Sequence, residues 1–173
     1  MAARALDPVP EAMHRDGIPV IVSSVRRNSP RALDPAMKSC NLINNILAVR
    51  EAQAKKAAEP LMMNERGDVA EGASANLFIV SKGALVTPPL NDGILPGVTR
   101  ALVLELAMKL AIEARQQSVR VPTLLGADEA FITSTLREVM PIATVDGRAI
   151  GHGKPGPVTK KLLAAYRRYA LAH

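Results

Sequence analysis

The sequence predicts one mixed α/β domain, and three observations predict it. Segments of β-rich composition alternate along the chain with segments of helical periodicity. Two pairs of apolar runs are joined by tight glycine turns, at Lys82-Gly83 and Asp146-Gly147, so some neighbouring strands form hairpins and the sheet is not purely parallel. The chain has 173 residues and is 48% hydrophobic but only 2% aromatic, so aliphatic side chains must fill a core of ordinary size.

The elements follow in order. Residues 1–17 are rich in proline and charge and are expected to be a linker or frayed arm. "IPVIVSSV" (18–25) is a β-rich run. "RRNSPRALDPAMKS" reads as loop, punctuated by Pro30 and Pro35. In "NLINNILAVREAQAKKA", Leu42, Ile46, Val49 and Ala52 recur near helical spacing and predict a buried helix, with Asn41 as its N-cap. "PLMMNERGDVAEG" reads strand, turn, short strand, and "NLFIVSKGALVTPP" is a hairpin. A helix follows Thr99, with Leu102, Val103, Leu106 and Leu110 on its apolar side. "SVRVPTLLGADEAFITST" predicts a strand, a helical turn and a second strand over 130–133, and "MPIATVDGRAIG" a further hairpin. The tail from Pro157 is an amphipathic helix with proline at its start.

Composition narrows the function. A net charge of +6 suits anionic small molecules. It argues weakly for nucleic acid, because the charges are scattered and two Phe, two Tyr and no Trp leave little surface for base stacking. A single cysteine, Cys40, excludes an internal disulfide and fits a reducing, cytoplasmic compartment. No apolar run approaches the roughly 18 residues of a membrane helix, and the first residues resemble neither a signal nor a transit peptide. No metal ligand set is assigned.

Four segments carry candidate chemistry, and each has a plain structural alternative. Lys38 ends a loop before a helix; desolvation there would make it a nucleophilic amine able to form a Schiff base, whereas most lysines are solvated surface groups. Glu71, before a glycine, is either a turn residue or a buried carboxylate, which would require a cation or hydrogen-bond donors; Asn76 is a turn or strand-edge side chain. In "NDGILPGVTRALVLELA", Gly97 lets backbone approach a ligand, and the amides of Val98 and Thr99 with the Thr99 hydroxyl form either an anion site at a helix start or an ordinary capped helix. Ser134 and Thr135 in "TSTLREVMP" end an apolar strand, as ligand groups or as a polar turn.

The order of these motifs carries more than any one of them. Lysine, then "EGxxxNLF", "GILPGVTR", "STxxEVxPI" and "VDGRxIGxGKPGPVTKKL" resembles the class IV aminotransferases, the fold-type IV pyridoxal phosphate enzymes, over Pro19 to about Tyr169. That family includes branched-chain and D-amino acid aminotransferases and aminodeoxychorismate lyases. The resemblance implies a strand-rich pseudo-barrel with packed helices, residues 18–173 forming the family's C-terminal, cofactor-binding domain. It implies pyridoxal 5'-phosphate as cofactor, an amino acid and a 2-oxo acid as substrates, and a homodimer. Lys38 matches the lysine that joins the cofactor and shuttles the substrate proton. Glu71 matches the acid that hydrogen-bonds the pyridine nitrogen, and a carboxylate there keeps the ring an electron acceptor. Leu95 matches the residue packed on the ring; Gly97, Val98 and Thr99 match the phosphate cradle, to which Thr135 adds a hydroxyl. Thr135 and Leu136 match the backbone that meets the substrate carboxylate.

Three departures accompany the match. Leu42 stands where many relatives have an aromatic residue. Arg137 occupies a turn that is often Ala, Thr or Ser, and either offers a guanidinium to a second carboxylate or points to solvent. The chain is also expected to lack the family's small N-terminal domain, which supplies an arginine to the phosphate. Aminotransfer is the expected activity; elimination of pyruvate, as in the lyases, and a non-catalytic remnant are the alternatives.

Overall fold

A computed structural model describes residues 8–172. Nine strands and five helices alternate: α1 (Glu11–Asp16), β1 (Ile18–Val22), α2 (Ile43–Ala54), β2 (Glu59–Met63), β3 (Val69–Gly72), β4 (Asn76–Ser81), β5 (Ala84–Thr87), a 3-10 turn (Leu90–Asp92), α3 (Val98–Lys109), β6 (Ala114–Gln116), α4 (Val121–Leu125), β7 (Glu129–Ser134), β8 (Glu138–Val145), β9 (Arg148–Ala149) and α5 (Pro157–Ala172).

The sheet closes on itself. Its order runs β3-β2-β1-β8-β7-β4-β5-β6, and β3 also pairs with β4, so six strands form a ring while β5 and β6 extend it at one side. β1 is parallel to both β2 and β8, and β5 is parallel to β6; the remaining pairs are antiparallel. The mixed, strand-rich, barrel-like architecture expected from the sequence is therefore present. The ring is closed by a single register pair, Glu71 opposite Asn76.

Alternation along the strands divides the apolar residues between two cores. Leu77 and Ile79 of β4, Ala130 and Ile132 of β7, and Met140 and Ile142 of β8 point into the ring with Ile18, Val20 and Leu61. Their neighbours Phe78, Val80, Phe131 and Val139 point outward, where Val103 and Leu106 of α3 and Leu162 and Leu163 of α5 cover them. Phe78 and Phe131, the only two phenylalanines, are cross-strand partners with rings stacked 5.0 Å apart. Burying one such side chain contributes about 2 kcal/mol, so the outer face is a true core layer and not a decorated surface.

Three local expectations are corrected. Residues 11–16 are helical rather than frayed: α1 buries His14, and Glu11 receives Arg167 of α5 at 2.9 Å on both carboxylate oxygens. Residues 1–7 of the expected arm lie outside the described residues. Helix α2 begins at Ile43 with Leu42 at its N-cap position, not Asn41, and it buries Ala48 and Ala52 while Leu42, Ile43, Ile46 and Leu47 are exposed. Its small residues allow close approach to β2, which turns the larger apolar face away from the barrel. "SVRVP" forms only an isolated bridge, Val69 with Val119; the strand that precedes α4 is β6, over 114–116.

Candidate active site

One cavity of about 480 Å³ opens at the end of the ring where β3 and β4 close it. Its walls include Lys38, Glu71, Leu95, Gly97, Val98, Thr99 and Thr135, residues spread over nearly a hundred positions of sequence. Of the eight site residues read from the sequence, Leu136 is the one not in the wall; it is 59% exposed in the middle of the three-residue turn between β7 and β8, which projects beyond the sheet.

The strand pairing fixes Glu71. It lies on β3 opposite Asn76, only 4% exposed, and burial outweighs its favourable partners and pushes its carboxyl up to about 7. Those partners are specific. Arg27 places Nη2 2.7 Å from Oε1; Asn76 donates from Nδ2 to Oε2 at 2.8 Å; and the Leu95 N–H reaches both oxygens at 3.1 Å. The requirement that a buried carboxylate be paired is thus met from within the chain. Asn76 is no mere strand-edge group, since the same amide also donates to the Leu95 carbonyl at 2.9 Å and so ties the loop before α3 to the carboxylate.

That loop is built to bring backbone into the cavity. Gly93 has φ +80°, where only glycine is unstrained, and its bare Cα packs toward Pro30 and Pro35 of the lysine-bearing loop. Buried Asp92 anchors the loop through Arg66 and through the Ser118 hydroxyl at 3.1 Å. At Gly97 a Cβ would collide with Asn76 Oδ1. Gly97 is also the N-cap of α3, and no described side chain caps that helix, so the amides of its first turn face the cavity without an internal acceptor. Arg100, the nearest cation in sequence, turns away: it is buried and donates to Thr87 Oγ1, the Pro88 carbonyl and Gln116 Oε1 at 2.9–3.2 Å.

Two readings of single residues change. Lys38 lines the cavity but stands exposed, on a loop without regular structure and before a helix whose first residues, Ile43 to Leu47, are exposed or partly exposed. Arg137 is partly buried and turns Nη2 onto a carboxylate of its own chain. It pairs with buried Glu59 at 2.7 Å and with the Ser74 hydroxyl, and so joins the β7–β8 turn to the barrel wall. Arg27, Asn45 and Thr133 also line the cavity and were not read from the sequence. For Arg27 the signal was indirect: a buried Glu71 demanded a cation, but nothing in "SVRRNSP" says which arginine faces inward.

The cavity suits a pyridoxal phosphate-sized group. Its volume lies in the usual range of small-ligand sites. A dry carboxylate, an uncapped helix start and a primary amine are the donor set such a group requires. Two buried polar atoms in its wall, Thr133 Oγ1 and Arg27 Nε, have no hydrogen-bond partner among the described residues, which is expected where a ligand is to bind. Among the described residues no group of three or more His, Cys, Asp or Glu is placed to hold a metal, and no helix is long and apolar enough to cross a membrane.

Known proteins share this fold. The sequence profile of amino-transferase class IV matches residues 1–145. The chain is similar to a branched-chain-amino-acid aminotransferase of Escherichia coli K12, 38% identical over 151 residues, which are 87% of this chain and 49% of that protein. It superposes on the branched-chain aminotransferase of Thermoproteus uzoniensis with norvaline at a TM-score of 0.89 and 38% identity, over 92% of this chain and 53% of that one. The branched-chain amino acid aminotransferase of Thermobaculum terrenum in its PLP form gives 0.90 and 35%, over 95% and 54%. The chain spans about half the length of the relatives it matches. Class IV aminotransferases are pyridoxal phosphate enzymes, and by profile, relatives and fold this chain belongs to that family.

Proposed function

We propose that the protein is part or all of a pyridoxal phosphate-dependent aminotransferase that exchanges the amino group of a branched-chain amino acid with a 2-oxo acid. The observation that carries this reading is the convergence of Lys38, Glu71 and the open start of α3 on one cavity. Bound pyridoxal phosphate supplies an electron-accepting ring that stabilises negative charge on the substrate α-carbon. The chain's own groups then have separate tasks. Val98 and Thr99 amides at the α3 start hold the phosphate, with the Thr135 hydroxyl beside them. Glu71 accepts a hydrogen bond from the ring nitrogen, Leu95 packs on the ring, and Lys38 takes and returns the substrate proton. Thr135 and Leu136 backbone at the β7–β8 turn meets the substrate carboxylate.

Residues 18–173 form the cofactor-binding unit in this reading. The apolar side of α2, with Ile43 66% and Ile46 51% exposed, supports burial against a second copy, hence a homodimer. An exposed free Cys40 supports a cytoplasmic setting. The names of the relatives favour a branched-chain substrate over a D-amino acid and aminotransfer over elimination.

Mixing purified protein with pyridoxal phosphate and reducing with borohydride tests the assignment. A phosphopyridoxyl group on Lys38 is expected; modification of another lysine, or of none, overturns it. Amino transfer from leucine to 2-oxoglutarate is the expected activity. Release of pyruvate from aminodeoxychorismate instead would make the protein a lyase, and bound cofactor that no amino acid converts would make it a non-catalytic relative.

A further inference from the structure

Glu71 can serve a protonated ring nitrogen only while it is itself charged, and its surroundings work against that. The carboxylate sits in a dry wall at the seam of the barrel, and burial is the largest influence on it. Two cations oppose the effect, Arg27 in contact and Arg100 at longer range, while Glu59 adds to it. Arg100 spends its donors on Thr87, Pro88 and Gln116 and makes none to Glu71. Arg27 alone among the described cations touches the carboxylate, at 2.7 Å, with both side chains almost enclosed at 10% and 5% exposure. Its backbone is fixed as well: the Arg27 N–H donates to the Met63 carbonyl at 2.9 Å, which ties the segment after β1 to the end of β2. The guanidinium therefore approaches Glu71 from one side, Asn76 holds the other oxygen, and the Leu95 N–H bridges both. One ion pair and three hydrogen bonds from three elements hold the carboxylate in one orientation in the cavity wall.

We propose that Arg27 is a positioning residue that holds the Glu71 carboxylate charged and aimed, so that it can accept a hydrogen bond from the protonated nitrogen of a heteroaromatic ring in the cavity. This rests on the cofactor assignment above. A guanidinium suits the task better than an ammonium because it stays charged when enclosed and its planar fork fixes the acceptor's direction. The unpartnered Arg27 Nε lies in the same wall, so the side chain is not saturated by its contact with Glu71.

The test uses the full chain with pyridoxal phosphate as probe and compares Arg27→Met, Arg27→Lys and Glu71→Gln. In Arg27→Met, borohydride still fixes the probe on Lys38. Its dissociation constant rises about tenfold, and the pH midpoint of the bound probe's visible band moves by about one unit. Glu71→Gln shows the same displaced midpoint. Arg27→Lys restores the midpoint while recovering affinity only in part. The proposal is overturned if Arg27→Met titrates and binds like the unsubstituted chain, or if Arg27→Lys folds yet leaves the midpoint displaced, which would make Arg27 structural only. Should Arg27→Met fail to fold, the Arg27→Lys and Glu71→Gln comparison decides alone. Absence of probe on Lys38 in the unsubstituted chain is a separate outcome that removes the cofactor assignment itself, and this proposal with it.

Discussion

Two helix starts in this molecule meet their unsatisfied amides in opposite ways. At α5, the carboxylate of buried Glu129 accepts from the Val158 N–H at 3.0 Å, the Thr159 N–H at 2.8 Å and the Thr159 hydroxyl at 2.6 Å. Gly156 is bare because any Cβ there would strike that carboxyl. At α3, Gly97 is again bare and again beside a polar side chain, but the side chain is the amide of Asn76, which caps nothing and instead ties Leu95 to Glu71. One helix start is saturated by an anion from its own chain; the other faces a cavity and is left for an anion from outside. A helix N-terminus is thus not a site in itself. It becomes one where the fold withholds the internal acceptor.

Breaking the saturated end gives the largest expected effect. Glu129→Ala leaves three enclosed donors without an acceptor and removes a charged cap, a loss of about 3 kcal/mol, or roughly 9 °C in Tm. Thermal unfolding checks it, and cofactor affinity per folded molecule stays unchanged if the two helix starts are independent.

The pH dependence of the open end is nearly as large. Glu71 in the cofactor-free protein is pushed up to about 7 by burial, against 4.5 for an ordinary glutamate. The folded state therefore holds this proton more tightly than the unfolded chain. Its contribution is fully present below pH 4.5 and is lost as pH rises to about 7, an amount of about 3 kcal/mol. Denaturant unfolding of Glu71→Gln should lack that decline. Glu51 runs the other way: hydrogen bonds from Ser23 and Lys55 pull it to about 2, so its contribution is present above pH 4.5 and disappears between pH 4.5 and 2. An acid limb that survives in Glu71→Gln and vanishes in Glu51→Gln would separate the two groups.

Gly97→Ala sharpens the contrast within the cavity. The new Cβ displaces the Asn76 amide and with it the Leu95 loop. Titration with pyridoxal phosphate should show affinity about tenfold lower or worse, with Tm falling only a few degrees. The smallest effect is expected at Thr133, whose enclosed hydroxyl has no partner among the described residues. Thr133→Val removes that unpaired group and should leave the cofactor-free protein unchanged or up to about 1 kcal/mol more stable, while weakening the cofactor about threefold if the hydroxyl serves the ligand.

Much of this was legible in the chain. Apolar runs in "NLFIVS" and over 130–133 forecast strands, though not that one face fills a ring and the other carries α3 and α5. The glycines of "NDGILPGVTR" marked the loop before α3 because φ +80° at Gly93 is a local demand on backbone chemistry. By contrast, the spacing of Leu42, Ile46, Val49 and Ala52 suggested a buried helix, yet of these only Ala52 is fully buried, beside Ala48 on the side of α2 that faces the barrel. Periodicity shows that a helix exists; which face meets this chain is a separate question.

The sequence alone determined most strands and helices in their order, though not α1 or β6, together with the hairpin turns, the aliphatic core, and the lysine, glutamate and glycine-loop motifs, since each depends on near neighbours or on a spacing that backbone geometry imposes. Only the tertiary structure decided how charges pair. Arg27 meets Glu71, Arg137 meets Glu59, and Arg100 turns from the cavity toward Thr87, Pro88 and Gln116. Arginines reach far and sequence leaves many partners open to them, so their pairing is settled by which carboxylates the closed ring buries and which directions it leaves free. The same closure, made at the single pair Glu71 and Asn76, is what turns separate motifs into one cavity.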